Sequence, residues 1–145
     1  MRALLVQGST PPTYWGYRHS LAFLDKDAPH PPLGLATLAA LLPPSWDLRL
    51  HDLHLGPLSD DAIRWAEVVL VSGMLIQAQS MVEVLRRARL LGKTTVVGGP
   101  AATTSPGTFE EATHLFQGEA EGRLDRLVQV LESGDRTAER VLSPP

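Results

Sequence analysis

Asp52 and His54 are the polar pair whose spacing most suggests chemistry, inside the run Asp52-Leu53-His54-Leu55-Gly56. A carboxylate next to a histidine can fix the imidazole tautomer and direct the other ring nitrogen at a metal ion. His51 could face the same ion, but two histidines without a third ligand are weak support for a metal site. The pattern also fits a strand that ends in a solvated histidine. We therefore predict no metal-ligating residue, with His54 kept as a candidate.

Glycine-containing segments follow four apolar runs of the chain. They are Gly8-Ser9-Thr10, Ser72-Gly73-Met74, Gly98-Gly99-Pro100 and Gly118-Glu119-Ala120-Glu121-Gly122. Glycine allows close backbone approach, and a serine hydroxyl can hydrogen-bond a buried heterocycle. Because the segments carry little charge together, they favour a large, mainly neutral ligand over a free phosphate or a metal ion. The alternative is that they are ordinary turns at strand ends.

Two acidic residues, Glu119 and Glu121, stand in the last of these segments. In an enzyme, such a pair can act as general acid and base. As an alternative, they are solvated acids before the last helix, where the helix dipole favours negative charge. A carboxylate pKa raised in a cleft would distinguish the enzyme from the alternative.

The segment Gly8-Ser9-Thr10-Pro11-Pro12-Thr13 faintly resembles the phosphate loop of flavodoxins. Phosphate binding there requires backbone N–H groups, and the two prolines remove two of them. The segment therefore favours a flavin only weakly. The chain contains neither a Walker A loop nor a G-x-G-x-x-G fingerprint.

The composition bounds the kind of protein. The chain has 145 residues, 43% of them apolar and 20% charged, which suits one globular domain. A net charge of −3 lacks the excess of positive charge that nucleic-acid binding requires. The absence of cysteine excludes disulfides, thiolate metal sites and iron–sulfur clusters in this chain. Since no apolar run approaches ~18 residues and no signal peptide is recognisable, we expect a cytoplasmic protein without a membrane partner.

Apolar runs and breakers predict alternating strands and helices. The predicted strands are residues 3–7, 46–53, 68–71, 94–97 and 114–117, with the second near an edge of the sheet and the third central. Helices are expected at 33–42, from a Ser59 cap to about 66, at 79–91, as a turn at 108–112, and from 124. The first helix, rich in small and apolar residues, is expected to be buried nearly all round. A further helical turn is expected within 19–24.

Five strands alternating with five helices predict a flavodoxin-like, doubly wound parallel sheet of order 2-1-3-4-5, in three layers α/β/α. We assign residues 1–134 to this domain and residues 135–145 to a polar tail or truncated linker. Ligands of such sheets bind outside the carboxyl ends of the strands. The four glycine-containing segments lie at that edge.

The order and spacing of six motifs carry a family resemblance over about residues 1–133. The chain resembles the N-terminal cobalamin-binding domain of cobalamin-dependent radical S-adenosylmethionine (SAM) proteins. The motifs are Pro31-Pro32-Leu33-Gly34-Leu35, Asp52-Leu53, Trp65-Ala66-Glu67, Ser72-Gly73-Met74, Gly98-Gly99-Pro100 and Gly118-Glu119-Ala120-Glu121. The aromatic stretch at 14–19 also resembles one branch of the family.

The resemblance implies that cobalamin is held base-off, with its dimethylbenzimidazole tail in a slot beside the third and fourth strands. Cobalamin proteins that ligate cobalt through a histidine carry a D-x-H-x-x-G motif after the first strand, and many radical SAM members lack that histidine. Here Asp52-Leu53-His54-Leu55-Gly56 follows the second strand and is one residue short. The resemblance therefore implies no protein histidine on cobalt, with His54 as the alternative. The cofactor-binding residues it implies are Ser9, Tyr14, Trp15, Ser72, Gly73, Met74, Gly98, Gly99, Pro100, Ala101, Thr103, Gly118, Glu119 and Ala120.

The family's catalytic domain carries a C-x-x-x-C-x-x-C motif, and this chain has no cysteine. We therefore predict a cobalamin-binding module that is not an enzyme on its own. Its metal would be the cobalt of the cofactor, and a partner could be a separate radical SAM subunit or domain. The alternatives are a degenerate domain used for protein–protein contact and a small flavin- or nucleotide-binding protein.

Overall fold

A single parallel sheet organises the fold. The structure is a computed structural model that describes residues 1–13, 21, 23–24, 26–28, 30–135 and 140–142. The sheet has the order β2-β1-β3-β4-β5-β6, and all neighbouring strands run parallel. The strands are β1 (Arg2–Gln7), β2 (Asp47–Asp52), β3 (Val68–Ser72), β4 (Thr94–Gly98), β5 (His114–Phe116) and β6 (Val141–Leu142). The flavodoxin-like class and the predicted order of the first five strands are confirmed, but the predicted strand number was one too low.

Helices cover both faces of the sheet. They are α1 (Leu33–Leu41), α2 (Asp60–Trp65), α3 (Ala78–Leu90), α4 (Pro100–Thr104) and α5 (Asp125–Ser133), with 3₁₀ turns at Leu75–Gln77 and Pro106–Phe109. The Ser59 side chain caps α2 by accepting a hydrogen bond from the Ala62 N–H, as expected. Within the described ranges, no helix combines the length and the apolar character needed to cross a membrane.

The core has two halves, because successive strand residues point to opposite faces. On one face, Leu4 and Val6 of β1 pack in a cluster with side chains of α2, α3 and α4. On the other, Ala3 and Leu5 pack in a cluster with α1, α5 and Phe116 of β5. Strands β1 and β3 are therefore covered on both sides, as their uninterrupted apolar runs predict.

Helix α1 differs from its prediction. Its residues were expected to be buried nearly all round, but only Leu35 is buried between Leu33 and Leu41, and Leu33 is 69% exposed. That expectation was wrong because only a single layer of helices covers this face of the sheet, so one side of α1 faces the sheet and the other faces solvent. The sequence of α1 has no charged residues that would have identified its solvent-facing side.

The segment between β4 and β5 also differs. Residues 100–104, for which no helix was predicted, form helix α4, and the helical turn predicted at 108–112 lies at Pro106–Phe109. The Thr103 and Thr104 hydroxyls donate hydrogen bonds to carbonyl oxygens four residues back and so supplement the backbone bonds of the helix. A helix of this length is too short to show apolar periodicity. Half of the residues of the turn expected at 19–24 lie outside the described ranges.

Strand β6 lies in the segment interpreted as a tail. Leu142 pairs with Phe116 of β5 and is 4% exposed. We expect Leu142→Ala to lower the free energy of unfolding by about 2 kcal/mol, because it removes buried apolar volume at the end of the sheet. Urea denaturation measures the change. Val141→Ala, at an exposed neighbouring position, is the control and should cost well under half as much; equal losses would mean that Leu142 is not part of the core.

Candidate functional site

A cavity of about 280 Å³ lies at the carboxyl ends of β3, β4 and β5, between the sheet and helices α1 and α5. Small-molecule sites begin at roughly 300 Å³. The cavity therefore suits one flat ring system better than a whole large ligand. Most of its wall is apolar, contributed by Leu35, Leu38, Leu70, Val96, Phe116, Leu124 and Leu127.

Ser72, at the end of β3, places a hydroxyl at this cavity. Among the described residues, the Ser72 Oγ has no hydrogen-bond partner. Gly99 approaches it so closely that a Cβ at residue 99 would overlap the Ser72 Oγ. Gly99 also has φ of 84°, a conformation that favours glycine. The two strand exits thus form a slot with one hydroxyl left available.

Charge at the cavity is confined to Glu119 and Glu121 on the segment after β5. Both side chains are exposed, and within the described part of the chain neither forms an ion pair. The lining residues include no lysine, arginine or histidine. The arrangement therefore favours a neutral ligand over an anion. It also offers no desolvated carboxylate for acid–base catalysis.

The segment at residues 8–12 has no N–H group left for a phosphate. Pro11 and Pro12 lack one, and the remaining three are used within the fold. They bond Gly8 N to Ser72 O, Ser9 N to Ser80 Oγ and Thr10 N to His54 Nε2, at 3.0, 2.9 and 3.2 Å. The arrangement lacks what a phosphate loop requires.

His54 has both ring nitrogens engaged. Its Nδ1 lies 2.8 Å from the Asp52 Oδ1, and the Thr10 N–H donates to its Nε2. Because a backbone N–H can only donate, Nε2 carries no proton and the tautomer is Nδ1–H. The side chains of His54 and Asp52 are 12% and 3% exposed. The pair braces the end of β2 against the segment after β1. Within the described residues, no cluster of three His, Asp or Glu side chains could hold a metal ion.

The cavity brings together half of the sequence-predicted cofactor residues. Those that line it are Ser72, Gly98, Gly99, Pro100, Gly118, Glu119 and Ala120. Residues that lie elsewhere at the same edge are Ser9, Gly73, Met74, Ala101 and Thr103. For these the predicted cofactor contact stays a prediction. Tyr14 and Trp15 lie outside the described residues.

Sequence reasoning missed the helical side of the cavity. Helix α1 contributes Gly34, Leu35, Thr37 and Leu38 to the lining, and Leu124 and Leu127 come from the start of α5. A signal was present at Gly34, since glycine within a helix costs roughly 0.5–1 kcal/mol relative to alanine and calls for a reason such as space for a ligand. The positions from α5 showed only ordinary helical periodicity.

Fold and cavity together define a flavodoxin-like α/β domain with an apolar slot at the edge where sheets of this class bind ligands. The chain is 39% identical over 137 residues to "uncharacterized methyltransferase sll1242" of Synechocystis sp., a match that covers 93% of this chain and 26% of that protein. It is 34% identical over 116 residues to a hopanoid C-2 methylase of Rhodopseudomonas palustris, covering 79% of this chain and 22% of that protein.

The chain therefore spans about a quarter of the length of these curated relatives. No protein-family model matches it, and no solved structure is significantly similar to it. By sequence, the chain is homologous to one part of proteins that are named as a methyltransferase and a methylase.

Proposed function

We propose that this chain is a cobalamin-binding module of a radical SAM methyltransferase system and holds the cofactor base-off. The observation that carries the proposal is the Ser72 hydroxyl beside Gly99, which has no partner among the described residues and lies in a mostly apolar cavity. The names of the two relatives support methyl transfer as the setting. Methylcobalamin supplies a transferable methyl group when bound. The chain contributes binding and orientation.

The residues present fit the cofactor's dimethylbenzimidazole tail. The tail is a flat, neutral heterocycle, and the slot offers apolar walls with a hydroxyl that can donate to a ring nitrogen. The volume of about 280 Å³ is far too small for a whole cobalamin. The corrin ring would therefore lie outside the slot, above the carboxyl ends of the strands.

The proposed module does not carry out the reaction on its own. Radical initiation needs an iron–sulfur cluster, and this chain has no cysteine to hold one. The relatives extend over about three-quarters of their length beyond the matched part. We assign the reaction to a radical SAM domain or subunit that would work together with this chain.

Three features argue against the competing functions. A flavin or nucleotide phosphate finds no free N–H group at residues 8–12. A domain kept only for protein contact would be expected to fill its slot with side chains, but a cavity of about 280 Å³ is present. Glu119 and Glu121 line the cavity but are exposed, so neither is the desolvated carboxylate expected of an acid–base enzyme.

The direct test is an ultraviolet–visible titration of the purified apoprotein with hydroxocobalamin and methylcobalamin, followed by desalting. We expect the protein to retain pigment with a base-off spectrum, because the tail is withdrawn from cobalt into the slot. Loss of all pigment on desalting, at cofactor concentrations up to the high micromolar range, would overturn the proposal.

His54 is not expected to bind the cobalt of the cofactor. We expect His54→Gln to leave the spectrum of bound cobalamin unchanged, since both imidazole nitrogens already serve the brace to Asp52 and Thr10. The measurement is the absorption spectrum together with the nitrogen hyperfine pattern of the reduced cobalt in electron paramagnetic resonance. An imidazole pattern in the wild type that disappears in the variant would assign His54 as a cobalt ligand.

A further inference from the structure

Two glutamines meet at the carboxyl edge of the sheet, outside the cavity. Gln7 is the last residue of β1, and Gln77 ends the 3₁₀ turn that follows β3. Gln77 is only 3% exposed. Gln7 also pairs in register with Ser72, the residue that lines the slot. The two glutamines therefore lie next to the proposed cofactor site but belong to a different part of the edge.

Hydrogen bonds fix which way each amide is turned. The Met74 N–H donates to one terminal atom of Gln77 at 2.9 Å, and because a backbone N–H only donates, that atom is Oε1. The same oxygen accepts a bond from Gln7 at 3.0 Å, so the bonded atom of Gln7 is Nε2. The assignment thus follows from the backbone rather than from a choice of amide flip.

The two glutamine amides have one donor and one acceptor that the described part of the fold does not use. Among the described residues, the Gln77 Nε2 and the Gln7 Oε1 have no hydrogen-bond partner. Every fully buried side-chain nitrogen or oxygen in that part of the chain has a partner, so the unpaired Gln77 nitrogen must reach the surface. A ligand at the edge of the sheet would meet an N–H donor and a carbonyl acceptor on neighbouring side chains.

The Gln77 side chain is held in place by its surroundings. A Cβ at Gly73 would come within 2.7 Å of the Gln77 Oε1 and 2.9 Å of the Met81 Sδ. The Ser80 hydroxyl lies 2.8 Å from the Gln77 carbonyl oxygen and receives a bond from the Ser9 N–H. With so little freedom to lose, the amide pair requires little ordering when a ligand binds.

We propose that Gln7 and Gln77 form a binding site for a carboxamide of the ligand. The carboxamide oxygen accepts from the Gln77 Nε2, and the carboxamide nitrogen donates to the Gln7 Oε1. The inference rests on the proposed function, because the corrin ring of cobalamin carries primary carboxamides around its periphery. The glutamine pair thus anchors the ring, while the slot beside Ser72 holds the tail.

Gln77→Glu tests the donor without removing the contacts inside the fold. A carboxylate still accepts from Met74 and Gln7, and the start of α3 favours negative charge. The free Nε2 donor is replaced by an acceptor that repels the ligand's carbonyl oxygen. We expect methylcobalamin binding to weaken about ten-fold. Gln79→Glu adds the same charge at an exposed position of α3 and should leave the affinity within about two-fold of the wild type.

A second measurement varies the ligand and uses the wild-type protein, so it does not depend on the variant's folding. Cobalamin derivatives with a single carboxamide hydrolysed to a carboxylate are titrated one by one. We expect one positional isomer to bind about ten-fold more weakly than the others, because its carboxylate cannot donate to the Gln7 Oε1.

The outcomes separate the inference from the proposed function. Wild-type retention with equal affinity for Gln77→Glu and for all the isomers would overturn the carboxamide site and leave the cobalamin module standing. If Gln77→Glu fails to fold, the isomer series alone decides. If the wild type retains no cobalamin, the proposed function fails and the carboxamide site falls with it.

Discussion

Ser72→Leu is expected to abolish the retention of cobalamin, with affinity reduced roughly a hundred-fold or more, about 2.8 kcal/mol. The larger side chain would occupy the slot between β3 and the exit of β4, where the tail is proposed to lie. Gly99 lies beside this slot, where even a single added methyl group would overlap the Ser72 Oγ, so a leucine side chain at residue 72 finds little space next to it. Titration with methylcobalamin followed by desalting measures the effect.

Two control variants show whether the loss of binding in Ser72→Leu comes from the size of the side chain. Ser72→Ala keeps the space but removes the hydroxyl, so binding should weaken by only about ten-fold. Ser45→Leu makes the same substitution as Ser72→Leu on an exposed turn and should bind like the wild type. Circular dichroism establishes that each variant is folded. A folded Ser72→Leu protein that retains cobalamin normally would show that the tail does not enter this slot.

Gly99→Ala should lower the free energy of unfolding by about 3 kcal/mol. Roughly 1–2 kcal/mol comes from placing a Cβ on a residue with positive φ, and a further 1–3 kcal/mol comes from its overlap with the Ser72 Oγ. Urea denaturation provides the measurement. The variant should also lose cobalamin, since the added methyl group takes up part of the slot.

The overlap can be separated from the backbone strain. Gly122 has a similar φ of 69°, but a Cβ there would meet open space, so Gly122→Ala should cost only about 1 kcal/mol. Adding Ser72→Ala to Gly99→Ala removes the overlapping oxygen and should recover a substantial part of the loss. Equal costs for the two glycine variants would mean that the close approach of Gly99 to Ser72 is not a feature of the folded protein.

Local residue patterns predicted most of the framework. The uninterrupted apolar runs of β1 and β3 indicate strands covered on both sides, and Ser59 indicates the start of α2. The ligand edge stays a prediction, based on the rule that doubly wound sheets bind ligands at the carboxyl ends of their strands. The inferences about strands and helix caps succeed because each depends on neighbours in sequence, whose geometry is constrained by strand and helix periodicity.

Other features left no local signal. Strand β6 has two residues, Val141 and Leu142, which is too short for any alternation to show. Helix α4 is five residues long and satisfies its backbone partly through threonine side chains. In both cases the element contacts residues that are distant in the chain, about which a local sequence pattern carries no information.

The amino-acid sequence alone was enough to specify a doubly wound sheet and to exclude cysteine chemistry, and it predicts a mainly neutral ligand at the carboxyl edge of that sheet. The folded chain was needed to show that the Thr10 N–H donates to the His54 Nε2 and that α1 and α5 line the cavity. It also showed that the Gln7 and Gln77 amides have one donor and one acceptor not used within the described part of the fold. Each of these depends on atoms from segments tens of residues apart. The contacts decide what a ligand can use, because an N–H donor or an imidazole lone pair that is already hydrogen-bonded within the fold is not available to a ligand.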